Sequence, residues 1–169
     1  DNHWTERGGY LASKQLLEHM KRDRFHDLDL RFLDEYTWIS QYRDFGHFVA
    51  LIGVPGLKER TEVHSGHVDG AEEVADLDLV FQHEGISPEE QQYHFVHKKP
   101  KNKLKLLMIR DSFGQAVYPF MKEGFAESLF IFDAWHYEMN TSVIEQYRPD
   151  VVVFLTYDPG LWKYINPVD

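Results

Sequence analysis

The sequence predicts an α/β fold built on a largely parallel sheet. Three observations carry that expectation. Leu104–Ile109, Ser128–Phe132 and Val151–Leu155 are short, almost wholly apolar runs, the last nearly all β-branched. Helix-like stretches, Gln115–Lys122 and Asn140–Tyr147, separate them. Strands apolar on both faces, alternating with helices, imply a parallel sheet covered on both sides. The length, 169 residues, suits a single domain over 1–169. A chain of that size buries about two-thirds of its surface.

The elements follow in order. Thr5 is placed as an N-cap, with Glu6 in the first turn of a helix. Tyr10, Leu11, Leu16, Leu17 and Met20 then recur with amphipathic spacing. Gly8 and Gly9 each weaken that helix by about 1 kcal/mol relative to Ala, so they point to close backbone packing. Lys21–Asp29 is a charged exit. Phe45–Ile52 reads as a strand, ended by Gly53-Val54-Pro55-Gly56. From Glu59 to Lys103 the pattern weakens. Strands are expected at Leu77–Gln82 and Gln91–His97, as a small antiparallel element over one edge of the main sheet, with turns between. Pro119 should kink the helix over Gln115–Lys122, because it lacks an N–H. Ser142 and Glu145 are spaced as a capping box.

Composition narrows the function. Lys plus Arg is 18 and Asp plus Glu is 28, a formal charge of −10, which argues against a nucleic-acid partner. With no cysteine, thiolate chemistry and a disulfide scaffold are excluded. No stretch approaches 18 apolar residues, so no membrane span is expected here. The chain opens directly on a motif, so further residues of the same domain are expected upstream of Asp1. Twelve Phe, nine Tyr and four Trp suit a layered core first and a carbohydrate cleft second.

Two segments carry chemistry. Arg110-Asp111-Ser112-Phe113-Gly114 follows a strand and precedes a helix, the layout that exposes a nucleophilic hydroxyl. Asp1-Asn2-His3-Trp4 offers a carboxylate two residues before an imidazole. A serine hydroxyl is a poor nucleophile until an imidazole takes its proton, and the imidazole needs a partner on its other nitrogen. Ser112, His3 and Asp1 are therefore the candidate catalytic residues. The backbone N–H groups of Ser112 and Gly114, at a helix start, are candidate oxyanion donors. Asp111 is expected to tie down the turn, and Trp4 to pack in the core beside the site.

These blocks resemble a known family. Asp1-Asn2-His3-Trp4-Thr5-Glu6-Arg7-Gly8-Gly9-Tyr10 is similar to the D-x-H-W-T-x-x-G signature of the AlgJ/AlgX-type polysaccharide O-acetyltransferases and the related DHHW proteins. Leu107–Gly114 is similar to their G-D-S-F-type nucleophile block. The likeness extends through Tyr118-Pro119-Phe120 and Pro149-Asp150-Val151-Val152, and leaves out the middle. It implies a three-layer α/β/α SGNH-hydrolase-like domain with permuted motif order, the Asp/His block leading. It implies O-acetylation of a bacterial cell-surface or exopolysaccharide, alginate-like, on the periplasmic or extracellular side of the envelope. Ser112 would then be nucleophile, His3 base and Asp1 its orienting carboxylate. The partners would be an acyl donor, a polysaccharide acceptor and other proteins of the envelope polysaccharide machinery. No cofactor is implied.

Arg110 departs from that pattern, standing where the family usually has a small residue, often Gly. It would narrow the oxyanion site or point to solvent. Two other readings therefore stand beside the transferase: a carbohydrate acetyl esterase, and a catalytically silent polysaccharide-binding module that keeps the fold. Asn140 is a candidate oxyanion donor by type, with helix capping as its default role. Among ten histidines, His64 and His67 with Asp69 form the one spacing weighed for zinc, against solvated loop histidines as the default; no metal site is assigned. His94 and His97, at i and i+3 on a strand, should face opposite sides.

Overall fold

The computed structural model describes residues 3–44, 56, 58–66, 70–75, 77–84 and 92–156. Asp1, the strand expected at Phe45–Ile52, and His67 and Asp69 lie outside these residues. The described elements are helix α1 (Glu6–Asp23), strands β1 (Trp38–Asp44), β2 (Lys58–His64), β3 (Ala71–Val74), β4 (Gln92–His97) and β5 (Lys105–Arg110), helix α2 (Tyr118–Met121), strand β6 (Glu127–Phe132), helix α3 (Thr141–Tyr147) and strand β7 (Val151–Leu155). Short 3-10 turns occupy Arg31–Glu35, Ser112–Ala116, Lys122–Gly124 and Ala134–His136.

The fold is mixed α/β. A five-stranded sheet has the order β3-β4-β6-β5-β7. β5 pairs in parallel with both β6 and β7, while β4 pairs antiparallel with β6 and with β3. The strands near Gln91–His97 therefore extend the main sheet instead of lying over its edge. β1 and β2 form a separate antiparallel pair.

Alternation along β5 explains how the sheet is covered. Leu106 and Met108 face one side, packed with Leu17 of α1 and with Phe120 and Met121 of α2. Leu107 and Ile109 face the other, packed with Val143 and Tyr147 of α3. All four are fully buried, so β5 reads as a continuous apolar run rather than an alternating one.

Three local expectations change. The helix expected over Gln115–Lys122 is a 3-10 turn, the four-residue α2 and a second 3-10 turn. Pro119 sits at the start of α2, where its missing N–H costs nothing. The segment at Leu77–Gln82 is not a strand. Side chains of α3 and its cap take up its backbone groups: Val80 N donates to Gln146 Oε1 (3.0 Å), Gln146 Nε2 and Ser142 Oγ donate to Val80 O (2.8 and 2.9 Å), and Gln82 N donates to Asn140 Oδ1 (3.3 Å). Ser142 thus makes no capping box; Asn140 caps α3 by accepting from Val143 N (3.3 Å).

Candidate active site

The site lies where the chain reverses its direction of travel across the sheet. From β5 the chain goes to β6 on one side, then returns to β7 on the other. The crevice beyond the carboxyl ends of the strands at such a point is where open α/β sheets bind ligands. Ser112 follows the last residue of β5 by two positions.

The turn is held by its own sequence. Asp111 Oδ1 accepts from Phe113 N (2.8 Å), and Asp111 N donates to Leu155 O of β7 (3.1 Å). Asp111 therefore ties down the turn, as expected. Gly114 N donates to Asp111 O (3.1 Å), so the oxyanion role expected of Gly114 is withdrawn: its N–H is already spent closing the turn. Ser112 N–H has no acceptor among the described residues, as befits the first residue of a 3-10 turn. Asn140, fully buried at its cap, donates to Asp133 Oδ2 (2.8 Å) and does not line the cleft.

His3 reaches the same place from 109 residues away. Its Nε2 lies 2.9 Å from Ser112 Oγ. Thr5 starts α1 by accepting from Gly8 N (3.1 Å), which places His3 just ahead of the helix. α1 is clamped onto the Ser112 turn. Ser13 Oγ lies 3.1 Å from Val117 O and 2.8 Å from Gly9 O of its own helix, its one proton shared between the two carbonyls. Gly9 permits the approach, because a Cβ there would lie 1.9 Å from Ala116 O. The His3 ring also stacks obliquely on Phe113, with centroids 5.3 Å apart.

An open cleft of about 700 Å³ surrounds the pair. That volume holds a drug-sized or disaccharide-sized ligand. Trp4 is 42% exposed, meets the edge of Phe113 and lines this cleft, so it is a wall residue and not part of the core. Glu6 and His64 line it too, and the sequence reading did not place them there. Glu6 Oε1 accepts from His64 N (2.9 Å) and contacts its Nδ1, joining α1 to β2. Their adjacency across 58 residues left no local signal. His94 and His97 diverge as expected, toward Glu127 and Glu123 respectively.

Arg110 does not point to solvent. It is 3% exposed and forms part of the cleft wall. Its guanidinium lies 5.4 to 5.9 Å from the rings of Tyr93, Tyr118 and Phe132. Nη1 donates to Asp111 O (3.2 Å), while Nε is buried without a partner among the described residues. Burial lowers its pKa, yet an arginine stays charged. Gly114 makes room for it: a Cβ on Gly114 would lie 2.3 Å from Arg110 Cδ. The Arg–Gly pairing within one turn is thus a steric match.

Solved structures share this fold. Bacillus cereus PatB1 with a sulfonyl adduct superposes with a TM-score of 0.61 at 15% identity, covering 95% of this chain and 60% of that one. A second structure of PatB1 gives 0.63 at 15%, covering 95% and 62%. A DHHW family protein from Eubacterium siraeum gives 0.62 at 18%, covering 92% and 56%. The chain thus spans under two-thirds of each neighbour's length. Identities this low establish likeness of fold. No protein-family model and no curated protein matches the sequence.

Proposed function

We propose that this chain carries a serine-dependent O-acyltransferase site that transfers an acyl group, acetyl by the family resemblance, to a bacterial cell-surface or exopolysaccharide. The single observation that carries the reading is the 2.9 Å approach of His3 Nε2 to Ser112 Oγ inside an open cleft. The shared fold with PatB1 and a DHHW family protein supports it, as does the D-x-H-W block at the head of the chain.

The chemistry runs in two halves. Ser112 Oγ attacks the carbonyl carbon of an acyl donor while its proton passes to His3 Nε2. The developing oxyanion takes the free N–H of Ser112. The tetrahedral intermediate collapses, and the leaving group departs with the proton from His3. A sugar hydroxyl then gives its proton to His3 and attacks the acyl-serine; as that second intermediate collapses, His3 returns the proton to Ser112 Oγ, which leaves Ser112 free and the sugar acylated. Water in place of the sugar would make the same site an esterase. Asp1 is assigned to hold His3 in one tautomer. In this reading residues 1–169 belong to one SGNH-like domain with permuted motif order, working outside the cytoplasmic membrane. Among the described residues, no helix is long and apolar enough to cross a membrane. Arg110 gives the cleft a fixed positive charge, which suits an acidic sugar.

A sulfonyl fluoride is the direct probe, since an activated hydroxyl captures it covalently. Mass spectrometry should find one adduct, on Ser112, and turnover of a chromogenic acetyl ester should fall in proportion to labelling. Labelling elsewhere, or none with a folded protein, would favour the silent binding module.

A further inference from the structure

On the face of the sheet away from α1 lies a second cluster that the proposed acyl transfer leaves unused. Asp133 follows β6 and is completely buried. Among the described residues no Lys or Arg pairs with it. Its partners are two imidazoles and an amide. His83 Nδ1 lies 2.8 and 2.7 Å from Asp133 Oδ1 and Oδ2. His136 Nδ1 meets Oδ1 as well. Asn140 Nδ2 donates to Oδ2 (2.8 Å). One nitrogen from each histidine and one carboxylate oxygen all fall within 4.8 Å of one another.

We propose that His83, Asp133 and His136 bind a divalent transition-metal ion, with zinc as the best match to the ligand set. Two imidazoles and a carboxylate are an established three-residue zinc set, with water in the fourth position. Zinc bonds of about 2.0–2.1 Å set neighbouring ligand atoms somewhat over 3 Å apart in a tetrahedron. The two His83 separations need to open by about half an ångström to admit the ion, and the shorter His136 contact by more.

Proton placement in a neutral His83 is compatible with the ion. A neutral imidazole carries one N–H. If His83 spends it on Asp133, its Nε2 is left as a bare acceptor. Among the described residues that Nε2 is buried without a hydrogen-bond partner, and Glu138 Oε2 faces it at 3.5 Å. A lone pair would then confront a carboxylate. A metal at Nδ1 moves the proton to Nε2, where it points at Glu138. A ligating histidine whose other nitrogen donates to a carboxylate is the usual outer-shell arrangement, and Asn140 supports the ligating Asp133 in the same way. The ion would also place positive charge beside the buried Asp133.

The ligands span separate parts of the chain. His83 belongs to the segment strapped across α3, while Asp133 and His136 follow β6. The ion would therefore fasten that segment to the sheet. Asp133 N donates to Arg110 O (3.1 Å), so the clamp backs the wall of the cleft.

The test begins with the full chain stripped by a chelator and dialysed against zinc chloride. One equivalent of zinc should be retained, with a higher thermal midpoint. Cobalt(II) should give the intense visible bands of a four-coordinate site. His83→Ala with His136→Ala should abolish both. Should that variant fail to fold, Glu138→Gln decides, because Glu138 is exposed: zinc affinity should drop by about 10- to 100-fold. Zinc retention unchanged in a folded double variant would mean adventitious surface histidines and overturn the site. So would no retention, or nitrogen NMR showing both ring nitrogens of His83 protonated in the presence of saturating zinc.

Discussion

Gly9 and Ala116 meet backbone to backbone, and that contact sets the distance between His3 and Ser112. A Cβ on Gly9 would lie 1.9 Å from the Ala116 carbonyl oxygen and 2.4 Å from its carbon. Backbone cannot swing aside as a side chain can. α1 therefore seats on the Ser112 turn only with glycine at this position, and His3 rides at the head of α1.

Gly9→Ala should push α1 off the Ser112 turn, lowering the thermal midpoint and ester turnover together. Gly8→Ala is the control. Its Cβ would meet Thr5 Oγ1 at 3.4 Å and Trp4 Cβ at 3.5 Å, which is ordinary contact. Helix propensity then predicts up to about 1 kcal/mol of added stability. Thermal unfolding of both variants, paired with ester assays, checks the contrast.

Ser112→Ala should lower ester turnover by roughly 10⁴- to 10⁶-fold and abolish sulfonyl labelling, with an unchanged circular dichroism spectrum. Asp1→Asn should cost up to about 10⁴-fold if Asp1 orients His3. Full activity in the serine variant would mean that another group is the nucleophile.

Arg110→Met keeps most of the stem that packs on Gly114 and removes the charge. Turnover of a neutral chromogenic ester should stay within a few-fold of the parent. With an acidic sugar as acceptor, KM should rise about 10- to 100-fold, the worth of a lost hydrogen bond to a charged group. Equal losses on neutral and acidic acceptors would show that Arg110 only shapes the wall.

Glu123 offers a prediction about pH. Its buried side chain has Lys122 Nζ at 3.6 Å and His97 Nε2 at 3.8 Å, yet burial dominates and raises its pKa. Between the unfolded value, near 4.5, and the raised folded value, the folded protein binds the extra proton. This group's contribution therefore falls as pH rises through that window and stays lost above it. His97 runs the other way: burial lowers its pKa, so its contribution falls on acidification. Glu123→Gln should raise the thermal midpoint at neutral pH, by about 2–4 °C per 1 kcal/mol, and leave it little changed at pH 4. A variant less stable at pH 7 would show that the ion pairs outweigh burial.

Several features were legible because they are local. Thr5 as cap, Asp111 as the tie of the turn, and the three apolar strands of the parallel ladder each depend on residues a few positions apart. The helix over Gln115–Lys122 misled because its apolar spacing reflects packing beneath the sheet, while the Asp111 cap and Pro119 divide the backbone into short turns. Leu77–Gln82 misled for a related reason. Its alternation is real, but α3 side chains satisfy its backbone where a strand would need a neighbour.

The sequence by itself determined the α/β class and the two chemical blocks, since hydrophobic period and turn chemistry are written within a few residues. Only the tertiary structure decided which distant groups meet. It brought His3 to Ser112 across 109 residues, spent the Gly114 N–H inside the turn, and walled the cleft with Trp4, Glu6, His64 and a buried Arg110. It also gathered His83, Asp133 and His136 into one cluster. The physical reason is common to all of these. Close packing of α1 and of the 77–84 segment on opposite faces of the sheet selects such contacts, and steric fit between faces leaves no periodic trace along the chain.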